Sequence, residues 1–166
     1  MAVREIRLLG DPRLYDASAP VGREELRQLD GLIVDLHDTL LGFRQRYGEG
    51  RAIAAPQIGV MKRMIYVHVD GPVVLVNPLI DRKSADMVPI WDDCMCFPDL
   101  LVKVMRHRSC RVIYHNRDWV VERWELENGL AELLQHECDH LDGILAVSKA
   151  IDGRSFSLRS QRPRLT

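Results

Sequence analysis

The sequence predicts an α+β fold in which antiparallel strands pack around a helix in the second half of the chain. Three observations predict it. Apolar residues recur at three- and four-residue steps between Arg23 and Tyr47, the period of an amphipathic helix. Four later segments are rich in Val, Ile and Tyr and are bounded by Gly, Pro, Asn and Asp, as strands are. A second helical period begins after Asn128-Gly129 and stops near Gly143. At 166 residues, the chain is expected to form one domain, 1–166, with a sizeable core.

In chain order, "REIRLLGDPRLYDASAPV" reads as a short extended segment, then a loop broken at Gly10, Pro12 and Pro20. The first helix carries Leu26, Leu29, Ile33, Leu36, Leu40 and Phe43 on one face and ends at "GEG", 48–50. "RAIAAPQIGV" is apolar and punctuated by Pro56 and Gly59. "RMIYVHV", "PVVLVNPLI", "SCRVIYHN" and "VVERWEL" are the strand segments. The tail from Asp152 carries four arginines after its last acidic residue and is expected to be solvated and partly disordered.

Composition narrows the setting. Apolar residues make up 46%, charged residues 28%, and the net charge is −1, so nothing draws the chain globally to DNA or an anionic membrane. No apolar run is long enough to span a bilayer, and the start is too charged for a signal peptide, so a cytoplasmic location is expected. The four cysteines form no CxxC pair. In a reduced compartment each is a small buried side chain or a ligand.

The late helix can be read by angle, at about 100° per residue. With Leu130 as zero, Leu133, Leu134 and Leu141 fall in the buried stripe, and Gln135, Asp139 and Asp142 are expected to face solvent. His136 and His140 lie about 40° apart at one edge of the stripe. Glu137 falls about 20° from the centre of the stripe, where an unpaired carboxylate costs several kcal/mol, so it needs a partner or a task. His-Glu-x-x-His on a helix is a metal-hydrolase motif because the two histidines share one ion while the glutamate reaches its water. A chance match on a surface helix would leave the buried glutamate unexplained. A third ligand is available in "PIWDDCMCFPD", where Cys94 and Cys96 each offer a thiolate.

"RAIAAPQIG" (51–59), "DDCMCFP" (92–98) and "QHECDHLDG" (135–143) resemble, in order, the three motifs of the peptide deformylases: GxGLAAPQ, EGCLS and QHExDH. The flanks "GDPRLYDASAPV" and "GLAELLQHE" agree as well. The resemblance implies the deformylase fold and a divalent metal held by Cys94, His136 and His140. Glu137 is then the general acid/base, and Gln57 and the backbone N–H of Met95 polarise the formyl carbonyl. The implied reaction removes formyl, as formate, from formylmethionyl peptides or nascent chains. The family usually works with ferrous iron, and zinc, nickel or cobalt can occupy the site.

Several residues depart from the pattern. Ala52 stands for the motif's second glycine, where the family's backbone lies along the bound peptide. Asp92 and Asp93 replace Glu-Gly, so Asp92–Arg106 is expected as a shorter version of the family's glutamate–arginine pair. Met95 for leucine is mild. The link "LGFRQRYGEGRA" is several residues longer than usual. These changes keep open a deformylase-like amidase acting on another small N-acyl substrate. Cys96, in place of serine, raises a different alternative, a non-catalytic binding module closed by a Cys₂His₂ metal site. Ligands one residue apart sit awkwardly around one ion, and such a site leaves Glu137 and Gln57 without work. Cys96, like Cys110 and Cys138, is expected to be a small buried side chain.

Leu133, at the stripe's edge, either lines the pocket for the substrate methionine or is a plain core leucine. His37, His68, His107 and His115 have no ligand spacing and are expected to be structural. Trp91, Trp119 and Trp124 are expected in the core or on sheet faces. The arginines of the tail offer a second reading, attraction to ribosomal RNA where nascent chains emerge.

Overall fold

The computed structural model describes residues 3–165. Helix α1 is Leu29–Tyr47 and helix α2 is Asn128–Leu141. The strands are β1 (Ala52–Ala54), β2 (Met64–His68), β3 (Pro72–Asp81), β4 (Met87–Asp93), β5 (Leu100–His107), β6 (Ser109–His115), β7 (Val121–Glu127) and β8 (Phe156–Leu158). They form a five-stranded sheet, β1-β2-β3-β6-β7, and a three-stranded sheet, β4-β5-β8, antiparallel throughout.

The larger sheet lies between the two helices, and the alternation along β2 shows how. Met64 and Tyr66 pack with Leu36, Leu40 and Phe43 of α1, while Ile65 and Val67 pack with Leu134, Cys138 and Leu141 of α2. Apolar residues on both faces explain the unbroken run "MIYV". On its other flank α2 touches β5 of the smaller sheet. That second sheet corrects the angular reading of the helix. Gln135 is buried, its Oε1 accepting from His107 N at 2.9 Å and its Nε2 donating to His107 O at 2.8 Å. Asp139 is held by Arg106, and only Asp142 of the three expected solvent residues is exposed. A wheel assumes one core, and this helix has packed structure on both sides.

Other segments also differ from expectation. Residues 23–28 wind as a 3₁₀ helix before α1, and their three-residue period suits Leu26 and Leu29 equally well. The opening segment joins no sheet. Instead, Arg7 N donates to Gln57 O, Leu9 N to Cys96 O and Ser18 N to Leu141 O, each at 2.8 Å. The tail is not loose: Phe156–Leu158 pairs with Leu100–Val102 of β5, and Arg159 and Arg162 are ion-paired. Its polar composition hid a strand whose role is to complete a sheet edge. Thr166 lies outside the described residues. Strands β4 and β5 are not among the expected strands: β4 is largely half-buried or exposed, and β5 mixes Lys103 and inward-facing Arg106 with its apolar residues. Gly143, at φ +71, ends α2 against the Tyr15 backbone, where a Cβ would collide. No helix among the described residues is long and apolar enough to cross a membrane.

Asn77 closes the join between loop and sheet. At φ 51 it sits in the left-handed region, at the irregularity between β3 and β6. Its side chain spans the backbone of Val21, Oδ1 accepting from N at 2.8 Å and Nδ2 donating to O at 2.9 Å. Asn77→Ala is expected to lower unfolding free energy by about 2–3 kcal/mol, from two lost hydrogen bonds plus backbone strain. Urea denaturation checks this, and an unchanged midpoint would show that the bridge contributes nothing.

Candidate metal centre

Two elements far apart in sequence bring the ligands together. Strand β4 ends at Asp93, and a turn closed by Phe97 N donating to Cys94 O at 3.1 Å points the Cys94 thiol inward. Helix α2 presents His136 and His140 one turn apart. The Cys94 Sγ lies 3.2 Å from His140 Nε2, which lies 3.2 Å from His136 Nε2. All three residues are buried, and their ligand atoms lie within 4.8 Å of one another. Cys96 is not part of that converging group, although its thiol lies beside that of Cys94. All four cysteines are free and buried.

Charges around the triad are set by burial and by one buried ion-pair chain. His136 Nδ1 faces Asp92 Oδ2 at 3.0 Å, which also accepts from Arg106 Nη2 at 2.7 Å. The other arm of Arg106 binds Asp139, whose carboxylate takes Lys149 at 2.9 Å. Burial works against charge on both Asp92 and His136. Their mutual attraction outweighs it, with help from Arg106 at Asp92, holding the carboxyl well below its usual range and lifting the imidazole to about 9. His140 is pushed far down, by burial and then by His136. Burial pushes the Cys94 thiol up and Glu137 up to about 7, the latter against the pull of His136.

The donor set fits a divalent metal. Two imidazole nitrogens facing each other at 3.2 Å beside a thiol converge on one point, where a soft-to-borderline cation would displace their protons and take three lone pairs. The outer nitrogen of His136 is oriented by a carboxylate, as metal-ligating histidines usually are. Glu137 is 3% exposed and its Oε2 has no hydrogen-bond partner within the protein. A buried carboxylate oxygen left free beside such a triad is poised to handle a proton.

The remaining sequence-predicted residues gather at the same place. Gln57, in the 3₁₀ turn Ala55–Ile58, is buried. Its Oε1 accepts from Ala54 N at 2.7 Å, which aims Nε2 at the sulfurs of Cys94 and Cys96, 3.8 and 3.6 Å away. Met95 sits in the turn between those cysteines. Ala52 of β1 and Leu133 of α2 line a cleft of about 590 Å³ that contains Cys94, His136, Glu137 and Gln57. Of the other histidines, His68 lines the same cleft, whereas His37 faces the Tyr66 hydroxyl, His107 the Ser84 carbonyl, and His115 stacks on Trp119. Sequence reasoning missed Asp139 and Gln135, both assigned to solvent. The signal that could have found Asp139 is Arg106 itself, since a buried guanidinium needs more than one carboxylate.

A family model described as polypeptide deformylase matches residues 3–155. Peptide deformylase 1 of Prochlorococcus marinus is 32% identical over 97% of this chain and 88% of its own length. Peptide deformylase 2 of Bordetella bronchiseptica is 34% identical over 93% and 91%. The crystal structure of peptide deformylase from Thermotoga maritima superposes with a TM-score of 0.84 at 29% identity, covering 92% of this chain and 100% of that one. The Met-Ala-Ser-bound class I type b enzyme of Acinetobacter baumannii gives a TM-score of 0.82 at 30% identity, covering 90% and 100%. Sequence and backbone agree over almost the whole length, and the chain belongs to the polypeptide deformylase family.

Proposed function

We infer that this protein hydrolyses the formyl amide of formylmethionyl peptides, releasing formate and a free amino terminus, with Glu137 moving the protons. The observation that carries the assignment is the unpartnered Oε2 of a fully buried Glu137 beside three converging ligands. Cys94, His136 and His140 would hold one divalent ion, which when bound supplies Lewis-acid polarisation of the carbonyl and a more acidic water.

The residues then divide the work. Glu137 takes a proton from the attacking water and returns it to the leaving amine, and its raised pKa near 7 suits both directions. Gln57, fixed through Ala54 N, and the Met95 amide are assigned to the developing oxyanion. The peptide is placed along β1. Strand β1 pairs only with β2, and Arg51 O accepts from His68 N. Antiparallel bonding alternates, so the N–H and C=O of Ala52 face the open edge and the cleft. The Met-Ala-Ser bound to the Acinetobacter relative supports a peptide occupant. Leu133 is assigned to the methionine side chain. The methyl of Ala52 on this wall favours one second reading, a different small N-acyl substrate, which comparison of formyl- and acetyl-peptides separates.

Ferrous iron is proposed as the working ion on the family resemblance, since the donor set also accepts zinc, nickel or cobalt. A reduced, cytoplasmic setting is proposed from the four free thiols. Ribosome contact rests on the basic tail alone, and there Arg159 and Arg162 are already engaged by acids.

Protein purified without oxygen is expected to release formate from a formyl-Met-Ala peptide. Glu137→Gln is expected to slow this by about 10²–10⁴ with metal content unchanged. Metal lost in parallel with activity would move Glu137 from proton transfer to ligand support. Asp92→Asn is expected to weaken metal binding by about 10–100-fold in chelator competition, because His136 loses its orienting carboxylate. Unaltered affinity would show that the helix alone fixes the imidazole.

A further inference from the structure

The cleft's outer rim is built from two segments that the proton transfer does not use. Glu49 sits in the lengthened link between α1 and β1, flanked by Gly48 at φ +74 and Gly50 at φ +129. Backbone of that kind has wide conformational latitude. Three guanidiniums take it up. Arg44 of α1 donates to Gly50 O at 2.9 Å, while Arg159 and Arg162 of the C-terminal segment bind the two oxygens of the Glu49 carboxylate. Arg159 is itself anchored: its Nη2 meets Asp93 Oδ2 at 3.2 Å, and its backbone N donates to Asp99 O at 2.8 Å. Strand β8, just before it, is hydrogen-bonded into the smaller sheet. Gly48, Glu49, Gly50 and Arg162 line the same cleft as Cys94 and Glu137.

Resting on the peptide-hydrolysis reading above, we propose that Glu49, Arg159 and Arg162 form a strut that fixes the cleft's rim and sets how the enzyme grips substrate residues beyond formylmethionine. Direction follows from the strand. Gln57 and the ligands stand past the Ala54 end of β1, and the Glu49 loop precedes its Ala52 end. A peptide with its formyl group at Gln57 therefore runs from Ala54 toward Gly50, advancing about 3.3 Å per residue. Its second and later residues arrive at the strutted loop. A rim already ordered spares the peptide the entropy of ordering it, so the strut acts on binding and not on the chemical step. Glu49 and Arg162 are positioning residues: the Glu49 carboxylate is held by Arg159 and Arg162 together, and loop geometry is their means of action.

The test uses the full-length, metal-loaded enzyme with Glu49→Gln, Arg162→Leu and Arg162→Lys. Each is assayed on formyl-methionine amide and on a formyl-Met-Ala-Ser peptide. For Glu49→Gln and Arg162→Leu, KM for the longer peptide is expected to rise about fivefold while kcat stays within about twofold, the scale of a partly exposed ion pair. KM for the amide should not move, and Arg162→Lys should restore most of the loss. Equal KM changes on both substrates, or none on either, would overturn the strut's role in specificity. Failure of the unmutated enzyme to turn over either substrate would count against the hydrolase reading itself.

Discussion

A guanidinium buried between a sheet and a helix has to be paired, and the geometry of the metal centre follows from how Arg106 is paired. Arg106 is 1% exposed and grips Asp92 of β4 with one arm and Asp139 of α2 with the other. Leaving such a charge without partners costs several kcal/mol, so β4, β5 and α2 have essentially one mutual arrangement. That arrangement places Cys94, two residues past Asp92, against His136 and His140. The same Asp92 oxygen orients the His136 ring. One ion-pair chain thus docks the smaller sheet on the helix and aims two of the three ligands.

Around that lock the rest of the fold supplies rigidity and dryness. The larger sheet is apolar on both faces and clamped between α1 and α2, which fixes β1 at its edge. Burial then does chemical work: the same exclusion of water that stabilises Leu134 and Leu141 raises the pKa of Glu137 on the next turn. A carboxyl that titrates near neutrality is a consequence of its packing.

Much of this was legible in the sequence. His136, Glu137 and His140 stand in a motif whose spacing carries its chemistry, the resemblance to the deformylases singles out Cys94 and Gln57, and "MIYV" or "RVIY" announce strands by β-branched content. What was hidden depended on contacts from elsewhere. Gln135 and Asp139 look solvated on a wheel because their partners, His107 and Arg106, arrive from β5. Strand β8 looks like a loose polar end because only half of its environment, the edge of β5, is a packing partner. The Glu49 strut joins residues 110 and 113 positions apart, beyond any local pattern.

The opening segment has its own consequence for how the molecule comes into being. Arg7, Leu9 and Ser18 hydrogen-bond in turn to Gln57, Cys96 and Leu141, so the first part of the chain is stitched to all three motifs. Synthesis delivers the N-terminus first, at about 5–20 residues per second, yet its last partner is made more than a hundred positions later. During that interval Ser18 lacks its partner, and Cys94, just past β4, cannot meet the histidines of α2. Assembly of the centre is therefore a late, long-range event with a correspondingly high contact order. A protein that acts on the beginnings of other chains thus holds one of its own early segments through a residue made more than a hundred positions later.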